Sequence, residues 1–143
     1  EVIQSHFLSS RIDMIEGSSI SDESISRVYE YAKHFSNILV ILDSNHTHDH
    51  VLSELKAYAP LVSAGSYCVV YDTIIEDLAD TQYPGRLWGP GDNPKTALHE
   101  YLKVLKDNEM RATDGGKLDF EIDKNIEAKI QITVGPDGYL KRI

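Results

Sequence analysis

The stretch Ile38-Leu39-Val40-Ile41-Leu42-Asp43-Ser44-Asn45-His46 decides the fold of this chain. Its five consecutive aliphatic residues are typical of a parallel β-strand that is covered on both faces. The apolar run stops abruptly at Asp43, and a polar turn follows it. In open α/β sheets, ligands bind in the crevice beyond the carboxyl ends of the strands. We therefore expect a functional edge at Asp43 and in the residues that follow.

The segments around this strand alternate between strand and helix patterns. In chain order they are a strand over 11–16, a helix capped by Ser21 or Asp22, a helix capped by Thr47, and an apolar strand over 66–71 that ends in Asp72. This order predicts an α/β fold with right-handed parallel crossovers and helices on both faces of the sheet.

The second half of the chain is less regular. The segment 74–94 is rich in acids, proline and glycine and contains Trp88, and so long a loop is usually functional or mobile. A third helix is predicted to start at Asn93 or Pro94. Two stretches of alternating apolar residues, 118–122 and 128–134, then predict strands, and a turn is expected at 136–138.

The composition of the chain argues against several classes of function. The 143 residues suit a single domain, and the net charge of −9 comes without any basic stripe. Binding to nucleic acid depends on basic side chains that neutralise phosphates, so a nucleic-acid partner is not expected, nor is an anionic membrane surface. No apolar run is long enough for a transmembrane helix. The single cysteine, Cys68, predicts a buried core residue and a reducing, cytoplasmic location.

Acidic residues end two predicted strands. Asp43 and Asp72 each leave an apolar run, and converging carboxylates suit a hard cation such as Mg²⁺, although both residues would serve equally well as helix or turn caps. His46 lies three residues beyond Asp43 and can exchange a proton near neutral pH. The nearby His48, Asp49 and His50 suggest zinc at first sight, but their pattern favours the solvated first turn of a helix.

Five segments together resemble a known family. They are Glu16-Gly17-Ser18-Ser19, Leu42-Asp43-Ser44-Asn45-His46, the stretch from Tyr58-Ala59-Pro60 to Gly65-Ser66-Tyr67, Trp88-Gly89-Pro90-Gly91-Asp92-Asn93-Pro94, and Gly135-Pro136-Asp137-Gly138-Tyr139-Leu140-Lys141-Arg142. They resemble the cephalosporin hydroxylase family, which includes rhamnosyl O-methyltransferases. The resemblance implies a three-layer Rossmann-like methyltransferase sheet, mostly parallel, with antiparallel C-terminal strands.

The resemblance also implies roles for individual residues. Gly17, Ser18 and Ser19 would contact the adenine of S-adenosylmethionine, and Asp43 would lie at the same cofactor site. Asp43, Asp72 and the residue at Thr73 fall where catechol-type O-methyltransferases hold Mg²⁺, although that group carries Asn at the third position. His46 takes the place of their catalytic lysine and would be the general base.

The glycine-rich turn and the ribose-binding acid of such methyltransferases would lie upstream of Glu1. We therefore expect residues 1–143 to form one N-terminally truncated methyltransferase-like domain. The leading hypothesis is a Mg²⁺-assisted, S-adenosylmethionine-dependent O-methyltransferase that acts on a hydroxyl of a sugar or small natural product. The alternatives are a metal-dependent hydroxylase or hydrolase using His46, His48 and Asp43, and a non-catalytic domain that forms homo-oligomers through an open sheet edge.

Overall fold

The computed structural model describes residue 3 and residues 5–143. Their strands form one four-stranded mixed sheet in the order β1-β2-β4-β3. The strands are β1 (Val40–Leu42), β2 (Tyr67–Val70), β3 (Phe120–Ile122) and β4 (Tyr139–Arg142). β1 and β2 are parallel, whereas β4 runs antiparallel to both β2 and β3. The α/β class and the antiparallel C-terminal strands are therefore confirmed. The expected mostly parallel sheet is not seen in the described residues, where two of the three strand pairings are antiparallel.

Four α-helices accompany the sheet among the described residues. They are α1 (Asp22–Ala32), α2 (His48–Tyr58), α3 (Pro94–Asp107) and α4 (Lys124–Ile130), with 3₁₀ turns at Ser9–Arg11, Ala59–Leu61 and Thr73–Asp77. Two predicted starts have clear caps: Ser21 accepts a hydrogen bond from the amide of Ser24, and Asn93 forms a capping box with Thr96. Thr47 precedes α2 as predicted, but its side chain makes no capping bond.

The core lies on one face of the sheet. Leu42 of β1 and the fully buried Val70 of β2 point into it, and α2 and α3 pack against each other above them, with Leu55 and Leu98 fully buried. Apolar residues of α1 pack against the same core. The predicted apolar faces of these helices are thus confirmed.

The opposite face of β1 is open within the described residues. The side chains of Leu39 and Ile41 alternate with the buried Leu42, and they are 52% and 54% exposed. β1 is also the edge strand of the described sheet. The expectation that this strand is covered on both faces is therefore wrong for this part of the protein, and the expected third layer is not seen over β1.

Two predicted strands are absent. Residues 12–16 belong to no ladder and do not pair with β1, although the outer side of that edge strand is unpaired among the described residues. The first three residues of the stretch 128–134 form the end of α4, which begins where Asp123 accepts a bond from the amide of Asn125, and the remaining four belong to no helix or strand. Ile132, beyond the helix, is 91% exposed, so the apolar alternation there does not mark a buried strand face.

No helix in the described part of the chain is long and apolar enough to cross a bilayer.

Candidate active site

The parallel pairing of β1 and β2 brings the two predicted acids to one edge of the sheet. Leu42 is opposite Val70 in the register, so Asp43 and Asp72 follow neighbouring strand ends. Asp72 adopts a left-handed backbone conformation, with φ of 55°. That conformation is uncommon for residues other than glycine, asparagine and aspartate, and strained positions of this kind cluster at functional sites.

Asp43, His46 and Asp72 form a cluster that we call the strand-edge triad. One ligand atom from each residue lies within 4.8 Å of the others. The Nε2 atom of His46 is 3.4 Å from Oδ2 of Asp72, and the side chains of both residues are only partly exposed. Two carboxylate oxygens and an imidazole nitrogen suit a divalent cation, and the solvent access leaves room for water ligands. The same imidazole can also take up a proton.

Thr73 is placed differently from the triad. It is fully buried, and its hydroxyl donates a hydrogen bond of 2.5 Å to the carbonyl oxygen of Pro136. The amide of Val70 donates to the carbonyl of Gly138 in the same turn. The turn before β4 therefore supports the strand end that carries Asp72, and Thr73 is part of this support.

A second set of predicted residues lines an open groove of about 710 Å³ beside β1, which we call the β1 groove. Gly17, Ser19 and Asp43 are among its lining residues. Ser18 is not, because its carbonyl accepts bonds from both the amide and the hydroxyl of Ser21 at the start of α1. The groove therefore brings Gly17, Ser19 and Asp43 to one surface.

His50 connects the two sides of this groove, a role that its position in the first turn of α2 does not indicate. Its Nε2 is 3.0 Å from the Ser19 hydroxyl and 3.4 Å from that of Ser44. The hydroxyl of Tyr58 donates to the Ser19 carbonyl. The Gly17–Ser19 segment is thus fixed to α2 by two side chains.

Glu54 was missed by the sequence reasoning. It is 2% exposed, accepts a 2.7 Å bond from the Ser44 hydroxyl, and lies 3.6 Å from His50 Nε2. Its other oxygen has no hydrogen-bond partner in the described structure. Burial of a polar atom without a hydrogen-bond partner is costly, so the buried Glu54 carboxylate lowers the stability of the fold. The sequence contains a signal for this burial, because Glu54 lies on the apolar face of α2, one turn after His50 and one turn before Tyr58.

His48 points away from the strand-edge triad. Its Nδ1 is 2.8 Å from the Thr96 hydroxyl and its Nε2 is 3.2 Å from Glu100, so the ring links α2 to α3. Its backbone amide donates to the Asp92 carboxylate at 2.6 Å, which places a negative charge at the N-terminus of α2. The set of His46, His48 and Asp43 that an iron oxygenase would need is therefore not brought together.

The long loop before α3 returns to the strand-edge triad. The Trp88 indole meets the His46 ring edge-on, with centroids 5.4 Å apart. Tyr83 and Arg86 of the same loop contact the indole. Residues 44–47 and 85–88 together enclose a cavity of about 360 Å³, which we call the indole cavity. His46 therefore faces both the acidic pair and this cavity.

Comparison with known proteins gives a consistent set of relatives. The family model described as rhamnosyl O-methyltransferase/CmcI matches residues 1–143. Rhamnosyl O-methyltransferases from Mycobacterium bovis (strain BCG / Pasteur 1173P2) and Mycobacterium tuberculosis (strain ATCC 25618 / H37Rv) are each 35% identical over 127 residues. These matches cover 87% of this chain but 45% of each relative, so the chain spans about half the length of the curated relatives it matches. No solved structure matches significantly.

Proposed function

The chain belongs to the rhamnosyl O-methyltransferase/CmcI family, and on this premise we propose that it carries the metal- and acceptor-binding half of an S-adenosylmethionine-dependent O-methyltransferase. The observation that carries the proposal is the convergence of Asp43, His46 and Asp72 within 4.8 Å at the carboxyl edge of two parallel strands. The acceptor is a hydroxyl of a sugar or a small natural product, in keeping with the rhamnosyl substrate named for the relatives.

Each member of the strand-edge triad has a role in this proposal. Asp43 and Asp72 hold Mg²⁺, which when bound orients an acceptor hydroxyl and lowers its pKa. His46 takes the hydroxyl proton on its imidazole as the acceptor oxygen forms its bond to the methyl group of S-adenosylmethionine, and S-adenosylhomocysteine leaves. Thr73 keeps Asp72 in its left-handed conformation through its bond to Pro136.

The cofactor side of the proposal rests on the β1 groove. Gly17, Ser19 and Asp43 contact the adenosyl group, and Ser19 is held in place by His50 and Tyr58. Ser18, which was also expected at this site, fixes the segment to the start of α1 through Ser21. The unpaired edge of β1 is where further strands would join the sheet, and its exposed face is where a helical layer would pack. In the proposed complete fold, further strands and a second helical layer are supplied by polypeptide upstream of this chain, which gives the three-layer arrangement of a cytoplasmic methyltransferase.

Calorimetric titration with S-adenosylhomocysteine, with and without Mg²⁺, tests the proposal. It should be run on this chain and on a version extended upstream. We expect the extended protein to bind the ligand and to bind Mg²⁺, and the shorter chain to bind Mg²⁺ alone. If the extended protein binds neither S-adenosylhomocysteine nor S-adenosylmethionine, the methyltransferase proposal is wrong.

Substitutions distinguish the residues that hold the metal from the residue that accepts the proton. Asp43→Asn and Asp72→Asn should each abolish Mg²⁺ binding, because each removes a carboxylate from the strand-edge triad. Asp49→Asn, which changes an exposed acid in the first turn of α2, is the matched control and should bind Mg²⁺ normally. His46→Gln should lower the methyl-transfer rate far more than the affinity for either ligand. Normal turnover by that variant would remove His46 from the role of base.

One observation supports the non-catalytic alternative. Leu39 and Ile41 are exposed on an edge strand, which is a surface that a second copy could cover. Light scattering on the extended protein distinguishes the two readings. A monomer that binds S-adenosylhomocysteine supports the enzyme, whereas a stable dimer that binds no ligand supports association as the function.

A further inference from the structure

The indole cavity contains an aromatic surface beside the proposed base. Trp88 is half-buried, and its ring meets His46 edge-on while Tyr83 tilts against it at 5.3 Å. A ring that enters the cavity would therefore lie between the loop that carries Trp88 and the turn at 44–47, which includes His46. Flat aromatic faces of this kind suit the apolar face of a sugar or an aromatic ring.

Arg86 adds a positive charge to this surface. Its guanidinium carbon lies 5.5 Å from the Trp88 ring centroid, and the side chain is exposed. Within the described part of the chain, none of the ion pairs includes Arg86. The chain as a whole carries a charge of −9, and the nearby strand-edge triad contributes two carboxylates. Because the Arg86 guanidinium lies over the indole and forms no ion pair with a described carboxylate, it is available to pair with an anionic group of a ligand.

We propose that the indole cavity is the acceptor subsite, and that it selects a hydroxylated six-membered ring carrying an anionic substituent. The ring packs on Trp88, the anionic group pairs with Arg86, and a ring hydroxyl reaches His46. This inference rests on the proposed methyltransferase function, because it assigns the acceptor of that reaction. It adds a charge preference and two specificity residues, Trp88 and Arg86.

The chain offers a direct probe, since Trp88 is its only tryptophan. Its fluorescence is titrated in the full chain with methyl β-D-glucuronide and with methyl β-D-glucoside, which differ by one carboxylate. EDTA is present, so that the carboxylate cannot bind through a metal ion. We expect saturable quenching by both rings, with the charged ring binding about 5-fold more tightly, the upper range for an exposed ion pair.

Two variants of matched charge decide whether Arg86 is responsible. Arg86→Gln should bring the two dissociation constants together, whereas Arg27→Gln, on the exposed side of the distant α1, should leave the 5-fold preference intact. Equal binding of the two rings by the unmodified chain, a preference that survives Arg86→Gln, or no quenching by either ring would each overturn the inference.

The outcome is separable from that of the proposed function. A charge preference in the indole cavity, together with failure of the extended protein to bind S-adenosylhomocysteine, would leave the subsite and remove the methyltransferase. If the extended protein binds S-adenosylhomocysteine but shows no charge preference in the indole cavity, the methyltransferase proposal stands and the subsite is wrong.

Discussion

Replacing Asp114 with asparagine should destabilise the protein through Arg142, a buried cation in β4. The Arg142 side chain is 3% exposed. Its Nη1 donates to the carbonyl of Val62 and to Asp114 Oδ2, both at 2.7 Å, and its Nη2 donates to Asp114 Oδ1 at 2.8 Å. Asp114→Asn removes the negative charge from this two-pronged contact and leaves the guanidinium buried beside a neutral amide.

The size of the effect follows from the unequal burial of the partners. Breaking a fully buried ion pair costs about 3–5 kcal/mol, whereas an exposed pair contributes about 0.2–1 kcal/mol. Arg142 is buried but the Asp114 side chain is 49% exposed, so we expect the variant to lose about 2 kcal/mol of unfolding free energy, between these limits. Urea unfolding at pH 7, followed by circular dichroism, measures it. Glu30→Gln, which breaks an exposed pair with Lys33, is the control and should cost less than about 0.5 kcal/mol.

Acid provides a second test of the same contact. The hydrogen bond from Arg142 lowers the pKa of Asp114 from 3.8 to about 2. Because the folded pKa lies below the unfolded one, the stabilisation is complete above about pH 4 and is lost as the pH falls toward 2. Solvent screening of the half-exposed carboxylate reduces this contribution to about 1 kcal/mol. If the unmodified protein and Asp114→Asn lose stability in parallel over this range, or if Asp114→Asn costs no more than Glu30→Gln, the reasoning is refuted.

Three further predictions address the packing around the site. Gly138→Ala should cost about 1–3 kcal/mol, because the added methyl group would overlap the carbonyl oxygen of Val70, whereas Gly89→Ala meets nothing within 4 Å and should be neutral in the same urea assay. Leu55→Ala should cost about 3 kcal/mol in thermal unfolding, since the side chain is fully buried, and a loss below about 1 kcal/mol would contradict the described core. Burial raises the pKa of the Cys68 thiol to about 12, so it should not react with iodoacetamide at pH 8 until urea unfolds the chain; rapid native labelling would show that β2 is exposed.

The sequence predicts the central β-α-β unit well, because two independent signals agree there. The aliphatic run at 38–42 and the largely apolar run at 66–71 both predict strands. Each is followed by an acid, so the sequence also predicts which edge of the sheet carries the site. The region 128–134 shows the limit of such reasoning. Its alternation suits a strand, but Ile126 and Ile130 are also one helical turn apart, and the cap at Asp123 decides in favour of α4.

The contacts of the candidate site were harder to predict than its residues. Asp43, His46 and Asp72 follow strand ends, so topology alone brings them together. Trp88 reaches His46 from a loop with no periodic pattern, and the link between Ser19 and His50 joins segments far apart in the chain. Contacts of this kind depend on tertiary packing, for which local propensity holds no information.

The strand-edge triad is contained in a single β-α-β unit, β1-α2-β2, and its residues lie within about 30 positions of one another. Its assembly therefore requires closure of a loop of about 30 residues that is filled by α2. Metal binding should appear in refolding only after the turn at 136–138 has docked, because Thr73, which follows Asp72, donates its hydroxyl to the carbonyl of Pro136. Protein engineering could transplant this unit between parallel sheets only if the supporting turn at 136–138 were carried with it.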